Sequence, residues 1–293
     1  MAYLSACARA SGISAADLFR IIAASALALA LVTGTAARAT PPGTLASQPP
    51  GAAARADVIL LFAVDMSASV DEAEALFQRE AYARALEDPT TIAIATSGPL
   101  RSAALGYMEW SGPHAQVMHV PVHLLRTPAD FHAMAAQIRA LGAARGDVAI
   151  LGSRTAVGAA LIAAHQAIER SGIAAPSRII DISGDGASNA GLTPTQARDH
   201  AVAAGITINA LPIATSPRHA ADLEAFYRNH VIGGAGSFAM TASGFADVAD
   251  TLLMKMQLEF VRGLVAGTRL AGAAAPAAQH RAALLRPGTP PRP

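Results

Sequence analysis

The chain contains one cysteine, Cys7, so residues 8–293 form no disulfide among themselves and carry no thiol chemistry. Aromatic residues make up only 4% of the sequence and charged residues 15%. Lys and Arg (22) balance Asp and Glu (21), and acids and bases are interspersed along the chain. A nucleic-acid partner therefore finds neither a clustered basic face nor interleaved stacking residues, and that function class is excluded. Uninterrupted apolar runs of membrane-spanning length are missing as well.

What is present starts at the N-terminus. Arg9 and Arg20 precede the apolar run Ile21–Val32, and small residues follow, ending in Ala37-Arg38-Ala39. A positive stretch, a short apolar run and an A-x-A site describe a secretory signal peptide, here residues 1–39. The expected location is therefore periplasmic or secreted, with an uncleaved anchor as the alternative and no membrane span in the mature chain. Leu4-Ser5-Ala6-Cys7 has the letters of a lipoprotein cleavage box, but its apolar segment follows the cysteine where it should precede it. Residues 40–56 are rich in Pro, Gly, Ala and Ser and read as a linker. Residues 268–293 are rich in Ala and Pro and read as a disordered tail.

Between these segments, residues 57–267 alternate strand and helix signals. Val58–Val64 is continuously apolar, as a parallel strand buried on both faces requires. A helix is predicted over Glu72–Glu87, capped by Asp71, with Leu76, Ala83 and Leu86 on its inner side. Strands follow at Ala103–Trp110 and Gln116–Leu124, the latter broken by polar residues as an edge strand would be. Thr127-Pro128 opens a helix to about Leu141. Helices are expected at Ala156–Arg170, from Thr193-Pro194 to about Ala204, at Arg218–His230 and from Phe245 to about Leu264. Strands are expected at Arg178–Ser183, Ile206–Ile213 and Ser237–Thr241. This pattern predicts an α/β fold with a doubly wound, mostly parallel sheet and one antiparallel edge strand. Ligands of such sheets bind beyond the carboxyl ends of the strands.

Chemistry is therefore sought just after the strands. The first strand ends in Asp65-Met66-Ser67-Ala68-Ser69, one carboxylate and two hydroxyls at alternate positions. Hard oxygen donors suit Mg²⁺, Mn²⁺ or Ca²⁺ and not zinc, which prefers nitrogen and sulfur. The helix that follows points its positive end at this loop, which would help hold Asp65 ionised. Thr155 lies in a Gly-containing loop before a helix, and Asp185 in an Asp-Gly turn after a strand. The set amounts to two carboxylates and three hydroxyls, Asp65, Ser67, Ser69, Thr155 and Asp185.

These segments resemble the metal-ion-dependent adhesion site of the von Willebrand factor A family, in order, spacing and strand-loop-helix context. The resemblance spans about Asp57 to Leu264. Glu109-Trp110-Ser111-Gly112, Ser183-Gly184-Asp185-Gly186 and His230-Val231-Ile232-Gly233-Gly234 are similar to a bacterial branch known as a domain of unknown function, number 1194. The resemblance implies that Ser67 and Ser69 bind the metal directly. Thr155 would bind directly or through water, and Asp65 and Asp185 through water. Ala68 stands where many members have Gly, which is tolerable if the position avoids positive φ.

The implied cofactor is one divalent cation, Mg²⁺ first, with Mn²⁺ or Ca²⁺ as alternatives. Two carboxylates would neutralise it, and the neutral hydroxyls would leave it electrophilic toward an incoming carboxylate. The expected function is a metal-dependent, adhesion-type module that binds a protein presenting Asp or Glu. A metal-dependent hydrolase, such as a phosphoesterase, is the alternative. It requires a nucleophile or base against the metal, and none is evident: position 67 is Ser where a D-x-D phosphatase has Asp, and no G-x-S-x-G elbow occurs. The chain is thus expected not to be an enzyme.

Four further features have duller readings. Asp181 lies inside a strand and is expected to be a buried, hydrogen-bonded carboxylate. His114, His119 and His123 are assigned to edge-strand solvation and not to zinc. Gly233–Gly236 is read as a turn. Glu109 and Trp110 end the second strand and are either a partner-binding rim or core.

Overall fold

The computed structural model describes residues 54–142, 154–214 and 216–284. The expected signal segment and nearly all of the linker lie outside the described residues.

Strand β1 (Val58–Asp65) is buried at all eight positions. It pairs in parallel with β2 (Ala103–Trp110) on one side and β4 (Ser177–Gly184) on the other. With β3 (Gln116–Leu125) antiparallel to β2 and β5 (Thr207–Pro212) parallel to β4, the sheet order is β3-β2-β1-β4-β5. The sheet is thus mostly parallel with one antiparallel edge, as the sequence pattern requires.

The unbroken apolar run of β1 serves two cores, because successive side chains of a strand point to opposite faces. Val58, Leu60, Phe62 and Val64 face one core, closed by α1 (Glu72–Glu87), α2 (Pro89–Ala95), α3 (Pro128–Arg139) and the last helix, α7 (Phe245–Leu284). Ile59, Leu61 and Ala63 face the other, closed by α4 (Val157–Arg170), α5 (Pro194–Ala203) and the segment from α6 (Pro217–Phe226) to Val231. Burying each large apolar side chain contributes about 1.5–3 kcal/mol.

Helix starts follow their caps. Asp71 and Glu74 form a reciprocal capping box at α1, and Thr127 and Asp130 form another at α3. The expected stripe of α1 is borne out in part: Ala83 and Leu86 are buried. Ala75, Gln78, Arg79, Tyr82 and Leu86 are buried, while Leu76 is 47% exposed. The buried positions still recur every three or four residues, but the stripe is rotated because it admits Gln78 and Arg79.

Three expectations are corrected. The strand expected at Ser237–Thr241 does not form a ladder; only isolated bridges join Ala239 to Ala210 and Ala242 to Ile213. The helix expected through His230 ends at Phe226, and a π-helical turn covers Tyr227–Val231. Helix α7 does not stop near Leu264 but continues to Leu284, 40 residues in all, through a segment expected to be disordered. Ala, the best helix former, dominates that stretch. No described helix is long and apolar enough to cross a membrane.

Two buried charge clusters tie the layers together. Arg79 on α1 forks onto Glu109 on β2, with Nε and Nη2 donating at 2.7 and 2.8 Å. Tyr107 Oη donates to the same carboxylate at 3.0 Å, and His119 Nε2 on β3 lies 3.0 Å from it. His119 is therefore a partner of the buried Glu109 and not merely a solvated edge residue as its sequence context implies; its neighbour His123 is half-buried, Nδ1 lying 2.8 Å from the Pro121 carbonyl. In the second cluster, Lys255 Nζ on α7 lies 2.5 Å from both Asp181 Oδ1 and Glu259 Oε1. All three side chains are fully buried. Asn209 Nδ2 donates to Glu259 Oε1 at 3.0 Å. Asp181 is thus a buried carboxylate as expected, and its partner is the Lys255 ammonium.

Removing one member of a buried ion pair leaves the other uncompensated, at a cost of about 3–5 kcal/mol. Glu109→Ala should destabilise the domain by that order in chemical denaturation, more than Glu80→Ala, whose Arg139 contact is half exposed.

The second cluster makes stability depend on pH. Burial, reinforced by Asp181 and opposed by Lys255, pushes Glu259 up to about 8 from 4.5. Between those values the folded state holds a proton that the unfolded state has released, so stability falls as pH rises through that window. Glu259→Gln should remove part of that slope. An unchanged slope in the variant, measured as unfolding midpoints across pH 4.5–8, would contradict the assignment.

Candidate metal centre

The parallel pairing of β1 with β4 brings the loops after both strands together at one sheet edge. Asp65 ends β1 and is 1% exposed. Its Oδ1 accepts from Ser67 N–H at 2.7 Å, an Asx-type turn that folds the loop back over the strand end. Ser67 Oγ and Ser69 Oγ are 3.3 Å apart. Ser69 Oγ then donates to Asp185 Oδ1 at 2.8 Å, across 116 residues of sequence. Ala68 is not among the described residues with positive φ, so the absent Gly costs nothing there.

Thr155 enters from the loop before α4 and is 6% exposed. Its N–H donates to Asn189 Oδ1 at 3.0 Å, and Asn189 N–H donates to its carbonyl at 2.9 Å. Its hydroxyl faces the backbone beside Asp185: a Cβ built on Gly186 would lie 3.8 Å from Thr155 Oγ1. All five residues singled out from the sequence therefore converge on one site.

Glu109 and Trp110 do not belong to its surface. Both are fully buried, Glu109 in the Arg79 cluster and Trp110 in the core against α4. The reading of this pair as a partner rim is corrected in favour of core. Trp110 still shapes the site through its backbone, since its carbonyl accepts from Met66 N–H at 2.8 Å.

Tyr227 is a neighbour that sequence reasoning missed. It is fully buried in the π-helical turn. A Cβ built on Gly184 would meet Tyr227 Oη at 2.4 Å and Asp65 Oδ2 at 3.0 Å. Position 184 therefore has no room for a side chain, and the phenol flanks the carboxylate. Neither Tyr227 Oη nor Asp65 Oδ2 has a hydrogen-bond partner. No local pattern in the sequence marks this tyrosine. Asn189 was equally unmarked.

The electrostatics fit a cation. Burial, and then the proximity of Asp185, push the Asp65 carboxyl up to about 7 from 3.8, against the lowering effect of the Ser67 bonds. The helix end expected to keep Asp65 ionised is outweighed by desolvation. An orphaned buried carboxylate oxygen, a second carboxylate beside it and three hydroxyls form a hard-oxygen donor set of the kind that holds Mg²⁺, Mn²⁺ or Ca²⁺. A cation here would relieve both the orphaned oxygen and the repulsion between the carboxylates.

Comparison with known proteins agrees with this architecture. The profile of the family described as "Protein of unknown function (DUF1194)" matches residues 55–264. The chain belongs to this family. No curated protein matches the sequence. Among solved structures, the pilus adhesin SpaC from Lactobacillus rhamnosus GG aligns at 13% identity with a TM-score of 0.50, over 71% of this chain and 31% of that one. Proximal thread matrix protein 1 from the mussel byssus, with a zinc-occupied MIDAS motif, aligns at 19% identity with a TM-score of 0.49, over 70% of this chain and 48% of that one. BatB from Bacteroides thetaiotaomicron aligns at 13% identity with a TM-score of 0.42, over 69% of this chain and 99% of that one. The chain thus spans about half the length of the mussel protein and a third of the adhesin. The DUF1194 domain has a von Willebrand factor A-like fold.

Because a buried carboxylate faces a second one, Asp65→Asn should raise the melting temperature in chelator and abolish any further rise on adding Mg²⁺. A variant that still gains stability from Mg²⁺ would show that Asp65 does not hold the ion. Gly184→Ala should lower stability in both conditions, because the added methyl meets Tyr227 Oη.

Proposed function

We propose that this DUF1194 domain is an exported, metal-dependent protein-binding module of adhesion type. It engages an acidic side chain of a partner protein through a divalent ion, with Mg²⁺ as the resident metal. The observation that carries this reading is the juncture of Asp65, with its orphaned Oδ2, and Asp185, linked through Ser67 and Ser69. Ser67, Ser69 and Thr155 would hold the ion through their hydroxyls, and Asp65 and Asp185 would balance its charge. When bound, the ion supplies an electrophilic position for a carboxylate. The chain's own part is to hold five oxygens in place and keep the loops rigid through the Asn189–Thr155 pair.

Binding is favoured over catalysis by the surroundings of the site. The hydroxyls of Ser67 and Ser69 face each other and Asp185, and no histidine lies in the described loops that build the site. The domain is therefore proposed not to be an enzyme. Export to the periplasm or beyond rests on Arg9, Arg20, the Ile21–Val32 run and Ala37-Arg38-Ala39. The fold shared with a pilus adhesin is in keeping with a role at the cell envelope.

The decisive experiment is a crosslinking pull-down from envelope fractions with and without chelator, paired with calorimetry. One divalent site should titrate in the wild type and vanish in Asp65→Ala. The partner should be captured in Mg²⁺, lost in chelator, and weakened in Thr155→Ala more than folding is weakened. A partner held equally well in chelator and by the Thr155 and Asp185 variants would place recognition on another surface.

A further inference from the structure

A cleft of about 780 Å³ opens beside the metal centre. It shares a wall with that centre, because Arg154 precedes the metal-site residue Thr155 and its Nη1 donates to the Asn189 carbonyl at 3.2 Å. Asn189 in turn holds Thr155 by two backbone-directed bonds. The cleft continues along Leu192 and Thr193 to Phe226 and His230 at the π-helical turn.

Its charge is one-sided. Arg154 lines it, and no acidic residue does. Among the described residues no carboxylate stands within ion-pair distance of Arg154. The start of α1, which follows the Asp65–Ser69 loop, carries the exposed acids Asp71 and Glu72. Apolar surface is present as well: Leu192 is 43% exposed, and the half-buried Phe226 ring packs on His230 with centroids 5.5 Å apart. A π-helical turn is rare, and such turns gather at functional sites. This one places Tyr227 against Asp65 and Gly184 while His230 lines the cleft.

From this asymmetry we infer that the cleft is a second subsite for the partner: it takes an extended acidic segment whose second carboxylate pairs with Arg154 and whose apolar side chain packs on Leu192 and Phe226. The inference rests on the metal-carboxylate reading above, since the first carboxylate of that segment sits at the ion. The segment leaves the ion toward Arg154 and not toward Asp71 and Glu72, where a second acid would be repelled. Successive residues of an extended chain advance about 3.3 Å, so the two acids are close in the partner's sequence.

The test is selection from a random-peptide library displayed on phage, using the full chain in saturating Mg²⁺ and elution with chelator. Wild type should yield peptides with two acidic residues flanking or adjoining an apolar one. Arg154→Glu should yield peptides that keep one acid and acquire Lys or Arg at the second position. For a single peptide selected on wild type, Arg154→Gln should weaken binding about threefold or more, as loss of a partly exposed ion pair does. Leu192→Ser should reduce affinity without changing which charges are selected. A wild-type consensus with one acid, unchanged in Arg154→Glu, overturns the subsite and leaves the metal-carboxylate reading standing. Failure to select any chelator-released peptide overturns both.

Discussion

Two carboxylates are held together, out of water, at the carboxyl edge of adjacent parallel strands. Asp65 and Asp185 repel each other there, and burial denies them the solvent that would screen the repulsion. The rest of the site is arranged around that constraint. Ser67 N–H satisfies one oxygen of Asp65, Ser69 satisfies one of Asp185, and Gly184 surrenders its side chain so that Tyr227 can close the space above Asp65. Pairing β1 with β4 is what brings the two loops together, and the double-sided burial of β1 is what holds that pairing in the middle of the sheet.

The interior handles its other buried acids differently. Glu109 has Arg79 and His119, and Asp181 and Glu259 share Lys255. Asp57 is capped by the N–H groups of Leu100 and Ser102. Each of these groupings contains a resident cation or a set of backbone donors. The pair Asp65 and Asp185 has hydroxyls and the backbone amides of Ser67 and Asp185, and no basic side chain within ion-pair distance among the described residues. That contrast, within one molecule, marks this pair as the place in the interior whose charge a bound cation would balance.

The same clusters stabilise the frame on which the site depends. The Arg79 fork ties α1 to β2, and α1 begins three residues after Ser69. Lys255 ties α7 to β4, whose end carries Asp185. Loops that would present five oxygens to one ion need rigid elements on both sides, and buried ion pairs are directional where apolar packing is not. The cleft at Arg154 lies outside this rigid frame, against the π-helical turn, where surface is open and apolar and basic groups stand side by side.

Several properties were legible in the order of residues. The unbroken apolar run Val58–Val64 marks a strand buried on both faces, because no other arrangement hides every side chain of a strand. Asp65, Ser67, Ser69, Thr155 and Asp185 could be picked out because each follows a strand or precedes a helix, and sheet topology sends those loops to one edge. These are local or periodic signals. Packing overrode them wherever a residue's environment depended on distant partners. Glu109 and Trp110 looked equally suited to a rim or a core, and Arg79 and α4 settled the matter by burying them. His119 looked like a solvated edge residue until the fold placed it 3.0 Å from Glu109. Tyr227 reaches Asp65 through a one-turn change of helix type, and the cleft exists only because Arg154, Leu192 and His230, far apart in the chain, meet beside Thr155. Periodicity reports which face a residue takes, but the partner it meets there is set by register, twist and the closure of loops across the sheet.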